Sequence, residues 1–291
     1  MTNALLALGA AAVGAVATRW ITAGLIPSTK VLRRNHRGVP IPTGLGVAML
    51  VGISMAIGFV AFVHALAPRA PSPALGLLGS LAVLVLGFGF GLLGLFDDVA
   101  DQPERGWRAH VPALLHGRLT PGALKIVGGG TLAFVFGSLG SSSFGWTIIH
   151  ALIIALMANL FNSLDVRPGR AGKVYLVAAI PLTILGDGVL VPMSATLGAV
   201  AAFMMFDLRE RAMLGDAGSN ALGAILGAAI VGVDPPDWLL AGLLGLLVAL
   251  TAVAEGPTLS AWIDRIGPLR AFDRAGRVPE TTEIFTTNPE T

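Results

Sequence analysis

Residues Ala74–Asp101 read ALGLLGSLAVLVLGFGFGLLGLFDDVAD. No charged residue occurs between Ala74 and Phe96. About 20 apolar residues in a helix are enough to cross a bilayer core, so this stretch predicts a membrane span. Its end is the informative part, because Asp97, Asp98 and Asp101 follow the apolar run at once. Ionisable groups at the edge of a membrane helix are costly and usually carry function.

The same pattern extends in both directions. Nine apolar stretches are read, at about Ala4–Ile26, Thr43–Ala65, Ala74–Phe96, Ala123–Leu139, Gly145–Phe161, Val174–Leu185, Val189–Phe206, Ala217–Val233 and Trp238–Val253. The sixth and seventh share the turn Gly186-Asp187-Gly188 and form a helical hairpin. Composition agrees. The 291 residues are 54% hydrophobic and 12% charged, and a soluble domain carries about 25% charge. The expected fold is an all-α integral membrane protein, a polytopic bundle of about nine transmembrane helices. Residues 1–256 form the transmembrane domain, and 257–291 form a cytoplasmic interfacial segment and flexible tail. The Ala4–Ile26 stretch lacks a basic start and is long for a signal-peptide core, so it reads as a retained span. There is no cysteine, which excludes disulfides and thiolate metal sites.

The basic residues are sorted by side. All of the 19 lysines and arginines except Arg19 and Arg69 fall in one set of alternating loops or in the C-terminal tail. Cytoplasmic loops carry this excess, which places the N-terminus outside and the C-terminus in the cytoplasm. It also removes nucleic acid as the reason for the high pI. The small-residue pair Gly223 and Gly227 suits close helix packing. Such faces permit a homodimer without requiring one.

By this topology the acids share the cytoplasmic face. Asp97 and Asp98 close the third stretch, Asp165 follows the fifth after Asn159 and Asn162, and Asp216 opens the eighth in LGDAGSN. One such acid is an ordinary helix cap. Two adjacent carboxylates at a helix C-terminus are harder to explain, because the macrodipole disfavours them. A divalent cation offsets that cost, and hard cations take carboxylate and phosphate oxygens. Asp216 beside Gly215 and Gly218 suits an anion approaching a helix N-terminus.

Four motifs carry a resemblance. They are RRNHRGVPIPTGLG (Arg33–Gly46), DDVAD (Asp97, Asp98, Asp101), the asparagine motif of Asn159, Asn162 and Asp165, and LGDAGS (Leu214–Ser219). In this order they resemble the polyprenyl-phosphate N-acetylhexosamine-1-phosphate transferase family. The resemblance implies transfer of a sugar phosphate from a nucleotide sugar to a polyprenyl phosphate lipid at the cytoplasmic face of a bacterial membrane. It implies that Asp97, Asp98 and Asp216 are catalytic and bind magnesium, or manganese in its place. It further implies substrate contacts from Asn159, Asn162, Asp165, Arg108, Arg167, Arg170, His36 and Arg34. Two departures stand out. Pro168 occupies the place of a second acid after Asp165, and no histidine follows His150 where other branches carry a histidine-rich loop. The chain therefore reads as a divergent branch. Two other classes compete: a non-catalytic relative that binds lipid-linked sugar or scaffolds envelope enzymes, and a lipid or solute transporter.

Finally, AWIDRIGPLRAF (Ala261–Phe272) sets Trp262, Ile266, Leu269 and Phe272 near one helical face, interrupted by Pro268. It reads as an interfacial amphipathic segment.

Overall fold

The computed structural model describes residues 3–66, 74–100, 112, 116–117, 120–185, 190–254 and 258–279. Among the described residues, nine long helices occupy the nine apolar stretches: α1 Asn3–Leu25, α2 Gly46–Leu66, α3 Ala74–Val99, α4 Pro121–Ser138, α5 Phe144–Leu164, α6 Arg170–Leu185, α7 Leu190–Asp207, α8 Gly215–Gly232 and α9 Asp237–Ala254. Two short helices follow, α10 Thr258–Arg265 and α11 Gly267–Arg274. The protein is a polytopic helical membrane protein. Five helices are by themselves long and apolar enough to cross a bilayer: α1, α2, α3 from Leu78, α5 and α7. The others are shorter or more polar. Helix α6 carries Arg170 and Lys173 in its first turn and Pro181 inside.

Local chemistry sets several helix starts. The Thr120 hydroxyl accepts from Ala123 N at 3.1 Å, with Pro121 at the first position of α4. Ser143 does the same for Trp146 N at the start of α5. Both satisfy N–H groups that a helix start leaves without partners. Helix α3 continues one turn past its apolar run, so Asp97 and Asp98 lie inside the helix. The Gly186-Asp187-Gly188 turn lies outside the described residues.

Helix α8 is the centre of the bundle. Most of its residues are buried, and it packs against α3 and α5 most extensively. Gly223 and Gly227 serve this packing within the chain. A Cβ on Gly223 would lie 2.3 Å from Met157 O, and one on Gly227 would lie 2.9 Å from Ile154 Cα. Helix α1 packs on α7 and α2 at the other side.

The basic first loop is not simply a loop. Leu32–Arg34 (β1) pairs antiparallel with Pro40–Pro42 (β2), with Arg33 opposite Ile41. The Asn35 side chain closes the turn by accepting from Arg37 N and Val39 N, each at 2.9 Å. The chain then docks on the turn before α8, where Met213 N donates to Pro42 O at 2.8 Å and Gly46 N to Leu214 O at 3.0 Å. Pro268 splits the C-terminal segment into two helices instead of kinking one, because it sits in the first turn of α11, where proline is tolerated.

Candidate active site

Three helix ends meet at one end of the bundle: the last turn of α3, the C-terminus of α5 and the N-terminus of α8. Glycine allows the approach. A Cβ on Gly94 would sit 2.1 Å from Asp216 O, and one on Gly46 would sit 2.2 Å from Gly218 Cα. Gly215 has φ of 68°, a left-handed value that disfavours a side chain. A Cβ there would also fall 2.5 Å from Asp98 Oδ2. These contacts press the two acids of α3 against the first turn of α8.

The acids have different surroundings. Asp98 Oδ2 accepts from Ala217 N at 3.1 Å, so the carboxylate caps α8 from a neighbouring helix. Its Oδ1 accepts no hydrogen bond and faces the Arg33 guanidinium at 3.4 Å. Asp97 and Asp216 share one cation. Lys125 Nζ lies 3.3 Å from Asp97 Oδ2 and 2.5 Å from Asp216 Oδ2. Asn162 Nδ2 donates to the same Asp216 oxygen at 3.2 Å. Asp165 caps the C-terminus of α5. Burial raises its carboxyl well above the usual range, and the negative Asp207, Asp216 and Asp98 add to the shift.

These groups face a cavity of about 1020 Å³. Asp97, Asp98, Asp165 and Asp216 line it, together with Lys30 and with Arg33, Arg34 and His36 of the β-hairpin. The His36 ring is held below its usual pKa by burial, with Arg167, Arg37 and Arg277 acting in the same direction against Glu210. Its Nδ1 and the Thr43 hydroxyl are buried without hydrogen-bond partners. Buried polar atoms ordinarily have partners, so the cavity wall presents groups ready for a polar ligand. Hard carboxylate oxygens suit magnesium. Among the described residues no three His, Asp or Glu side chains form a ready cage. Magnesium does not need one, since it takes one or two carboxylates and completes its shell with water and phosphate.

A family model described as glycosyl transferase family 4 matches residues 80–234. The chain belongs to glycosyl transferase family 4. The match spans both the acid pair of α3 and Asp216. The chain is also similar to the phospho-N-acetylmuramoyl-pentapeptide-transferases of three bacteria. It is 29% identical to that of Thermotoga neapolitana over 159 residues, 51% of this chain and 52% of the relative. It is 29% identical to that of Moorella thermoacetica over 204 residues, 62% of this chain and 60% of the relative. For Desulforudis audaxviator the identity is 29% over 221 residues, 68% of this chain and 64% of the relative. The chain thus spans roughly half to two thirds of the length of these relatives.

Within this glycosyl transferase family 4 chain the expected residues separate into groups. Asp97, Asp98, Asn162, Asp165, Asp216, Arg34 and His36 are brought to one cavity. Arg167 lines a small adjoining recess with His36 and Asp165. Asn159 is exposed and outside the lining. Arg170 is 3% exposed and points elsewhere, pairing with Asp273 at 2.7 Å and 3.0 Å. Arg108 and Asp101 lie outside the described residues. Among the basic residues the sequence gives Lys125 no role beyond its side of the membrane, yet it stands between Asp97 and Asp216. A signal was present, since it is the one Asp, Glu, Lys or Arg between Thr120 and Leu164.

Proposed function

We propose that this protein transfers a sugar 1-phosphate from a nucleoside diphosphate sugar, of the UDP-N-acetylhexosamine type, to a polyprenyl phosphate. The observation that carries the proposal is the convergence of Asp97, Asp98 and Asp216 on a cavity that Lys30, Arg33, Arg34 and His36 also line. Acids that accept a divalent ion, facing cations that accept phosphates, suit diphosphate chemistry. The motif order and the family membership support the same reading. In this reading nine helices span the membrane, the N-terminus is outside, and the cavity opens to the cytoplasm. A lipid tail then stays in the bilayer while a nucleotide sugar arrives from water.

The lipid phosphate oxygen attacks the β-phosphorus of the donor. A new P–O bond forms there, the bond to the oxygen bridging the α-phosphorus breaks, and nucleoside monophosphate leaves. Phosphoryl transfer depends mainly on positioning and on neutralising spread charge. Asp97 and Asp216, which share a cation through facing oxygens, are the residues that would hold magnesium. Bound there, magnesium supplies charge neutralisation for the donor diphosphate. Asp98 fixes the first turn of α8 through Ala217 N and keeps Arg33 at the cavity wall. Asn162 orients Asp216. Arg34 and Lys30 offer charge to phosphate oxygens. Phosphate monoesters have a second pKa near about 6, so the attacking oxygen is already largely deprotonated at neutral pH and a strong base is not required.

The test is release of nucleoside monophosphate from a panel of nucleotide sugars with undecaprenyl phosphate and magnesium. Asp216→Asn is expected to lose at least about a hundredfold in rate, as for loss of a main electrostatic contact, while the protein remains folded. Full activity in that variant overturns the assignment. One observation favours a second reading. The Lys125 ammonium already bridges Asp97 and Asp216, as a permanent substitute for a metal in a non-catalytic lipid-sugar binder would. That reading requires binding of lipid-linked sugar with no turnover on any donor.

A further inference from the structure

At the same end of the bundle, but sharing no lining residue with the acid cavity, a cleft of about 500 Å³ opens between α1 and the C-terminus of α7. Its walls carry three guanidiniums, those of Arg19, Arg209 and Arg211, over an apolar floor that includes Val16, Trp20 and Met205. Among the described residues none of the three arginines pairs with a carboxylate. Arg19 reaches only Met205 Sδ at 3.8 Å. Arg211 lies over the Phe206 ring at 5.8 Å. The two nearest acids in sequence are turned away and engaged. Asp207 accepts from Gly169 N at 2.8 Å, and Glu210 pairs with Arg37 at 2.9 Å. Glu210 itself has φ of 54°, an uncommon value for a residue with a side chain. The turn therefore directs Glu210 toward the hairpin while Arg209 and Arg211 flank the cleft.

Three like charges side by side repel one another, and an anion placed among them removes that cost. The neighbouring surface says which anion. Trp20 is 75% exposed and Val16 is 68% exposed on α1, the helix that packs against α7. A water-soluble ion makes no use of an apolar floor beside the cations. Indole rings favour the membrane–water boundary, and basic pockets between membrane helices take lipid head groups. Guanidinium forks match phosphate oxygens in pairs. We infer that the cleft between α1 and α7 binds the phosphodiester head group of an anionic membrane phospholipid, with Arg19, Arg209 and Arg211 on the phosphate and acyl chain along Val16, Trp20 and Met205. The lipid lies in the same leaflet as the end of the bundle that holds the acids, because only residues 208–214 separate the C-terminus of α7 at the cleft from the N-terminus of α8 at the acids.

Native mass spectrometry of the full chain, released from membranes with equal phosphatidylglycerol and phosphatidylcholine, tests this. The wild type is expected to retain phosphatidylglycerol selectively. Each cation near a charged membrane surface contributes about fivefold, so Arg209→Gln with Arg211→Gln is expected to reduce retention by roughly 25-fold. Removing the same charge from the C-terminal helices, by Arg265→Gln with Arg270→Gln, is expected to leave retention intact. If the double variant fails to fold, Arg209→Gln alone replaces it, since among the described residues that side chain makes no hydrogen bond or ion pair; a loss near fivefold is then expected. Equal retention of the two lipids, an equal loss from the control pair, or displacement of the lipid by inorganic phosphate each overturns the inference.

Discussion

Asp273→Ala is the most exacting perturbation of this fold. Asp273 lies on α11, far in sequence from the bundle it anchors. Its carboxylate receives Arg170 Nε at 2.7 Å, Arg170 Nη2 at 3.0 Å and Arg277 Nη2 at 2.5 Å. Lys173 Nζ meanwhile donates to the carbonyls of Phe272, Asp273 and Ala275 at the end of the same helix. Arg170 and Asp273 are 3% and 4% exposed. Removing the acid leaves Arg170 and Arg277 without their carboxylate partner. Breaking a buried pair from one side costs about 3–5 kcal/mol. At about 2–4 °C per kcal/mol for a chain of this class, the midpoint of unfolding in detergent should fall by roughly 10 °C. Trypsin should also cut faster at Arg265 and Arg270 as α10 and α11 leave the bundle. Ser260→Ala, which removes one bond from Arg170 Nη1 at 2.9 Å, should cost only about 1 kcal/mol. The pH dependence follows from the sign of the shift. Burial raises the Asp273 carboxyl, but Arg170, with Arg277 and Lys173, outweighs it and holds the group below the usual range. A depressed acid stabilises above its unfolded pKa, near about 3.9, and that contribution is lost as pH falls through the folded value. The gap between wild type and Asp273→Ala should therefore be constant from pH 6 to 8 and close only below about pH 4. An unchanged midpoint and unchanged proteolysis at neutral pH would refute the clamp.

Other outcomes follow from the acid cavity. Lys125→Met leaves Asp97 and Asp216 facing each other without their shared cation; magnesium should then raise the unfolding midpoint of the variant more than that of the wild type, as a titration by thermal shift would show. Gly94→Ala forces a Cβ to within 2.1 Å of Asp216 O, so turnover should collapse and stability drop by about 1–3 kcal/mol, whereas Gly130→Ala, with nothing within 4 Å, should leave activity unchanged. Asp165→Asn should raise stability while lowering turnover. Its carboxyl is raised by burial and by neighbouring acids, so the folded state loses stability as pH rises from the unfolded value, about 3.9; the gain from asparagine should be absent near pH 4 and grow as pH rises above it.

Hydrophobic length was readable without coordinates, because a bilayer accepts only long runs without charge. The nine stretches therefore became nine helices, with ends shifted by a few residues. Motif spacing likewise marked Asp97, Asp98, Asn162, Asp165 and Asp216, since each sits at a helix end where sequence fixes its height along the bundle. Height is a one-dimensional property. Partnership is not, and the sequence carried no measure of which helix faces which. Arg170 and Arg167 stand three residues apart in one loop and look equivalent as phosphate ligands. Folding sends Arg170 into a buried pair with Asp273, while Arg167 stays beside His36 at a recess next to the cavity. Lys125 is conspicuous as a lone charge, but its partners are fixed only when α4 meets α3 and α8. The β1–β2 hairpin also escaped the sequence, because Arg33 and Ile41 pair across a turn closed by the Asn35 side chain. Composition and spacing determined that this chain lives in a membrane and where along its helices the charge lies. Tertiary packing alone decided which charges meet, because electrostatic pairing depends on separations of a few ångströms between segments that the chain order does not bring together.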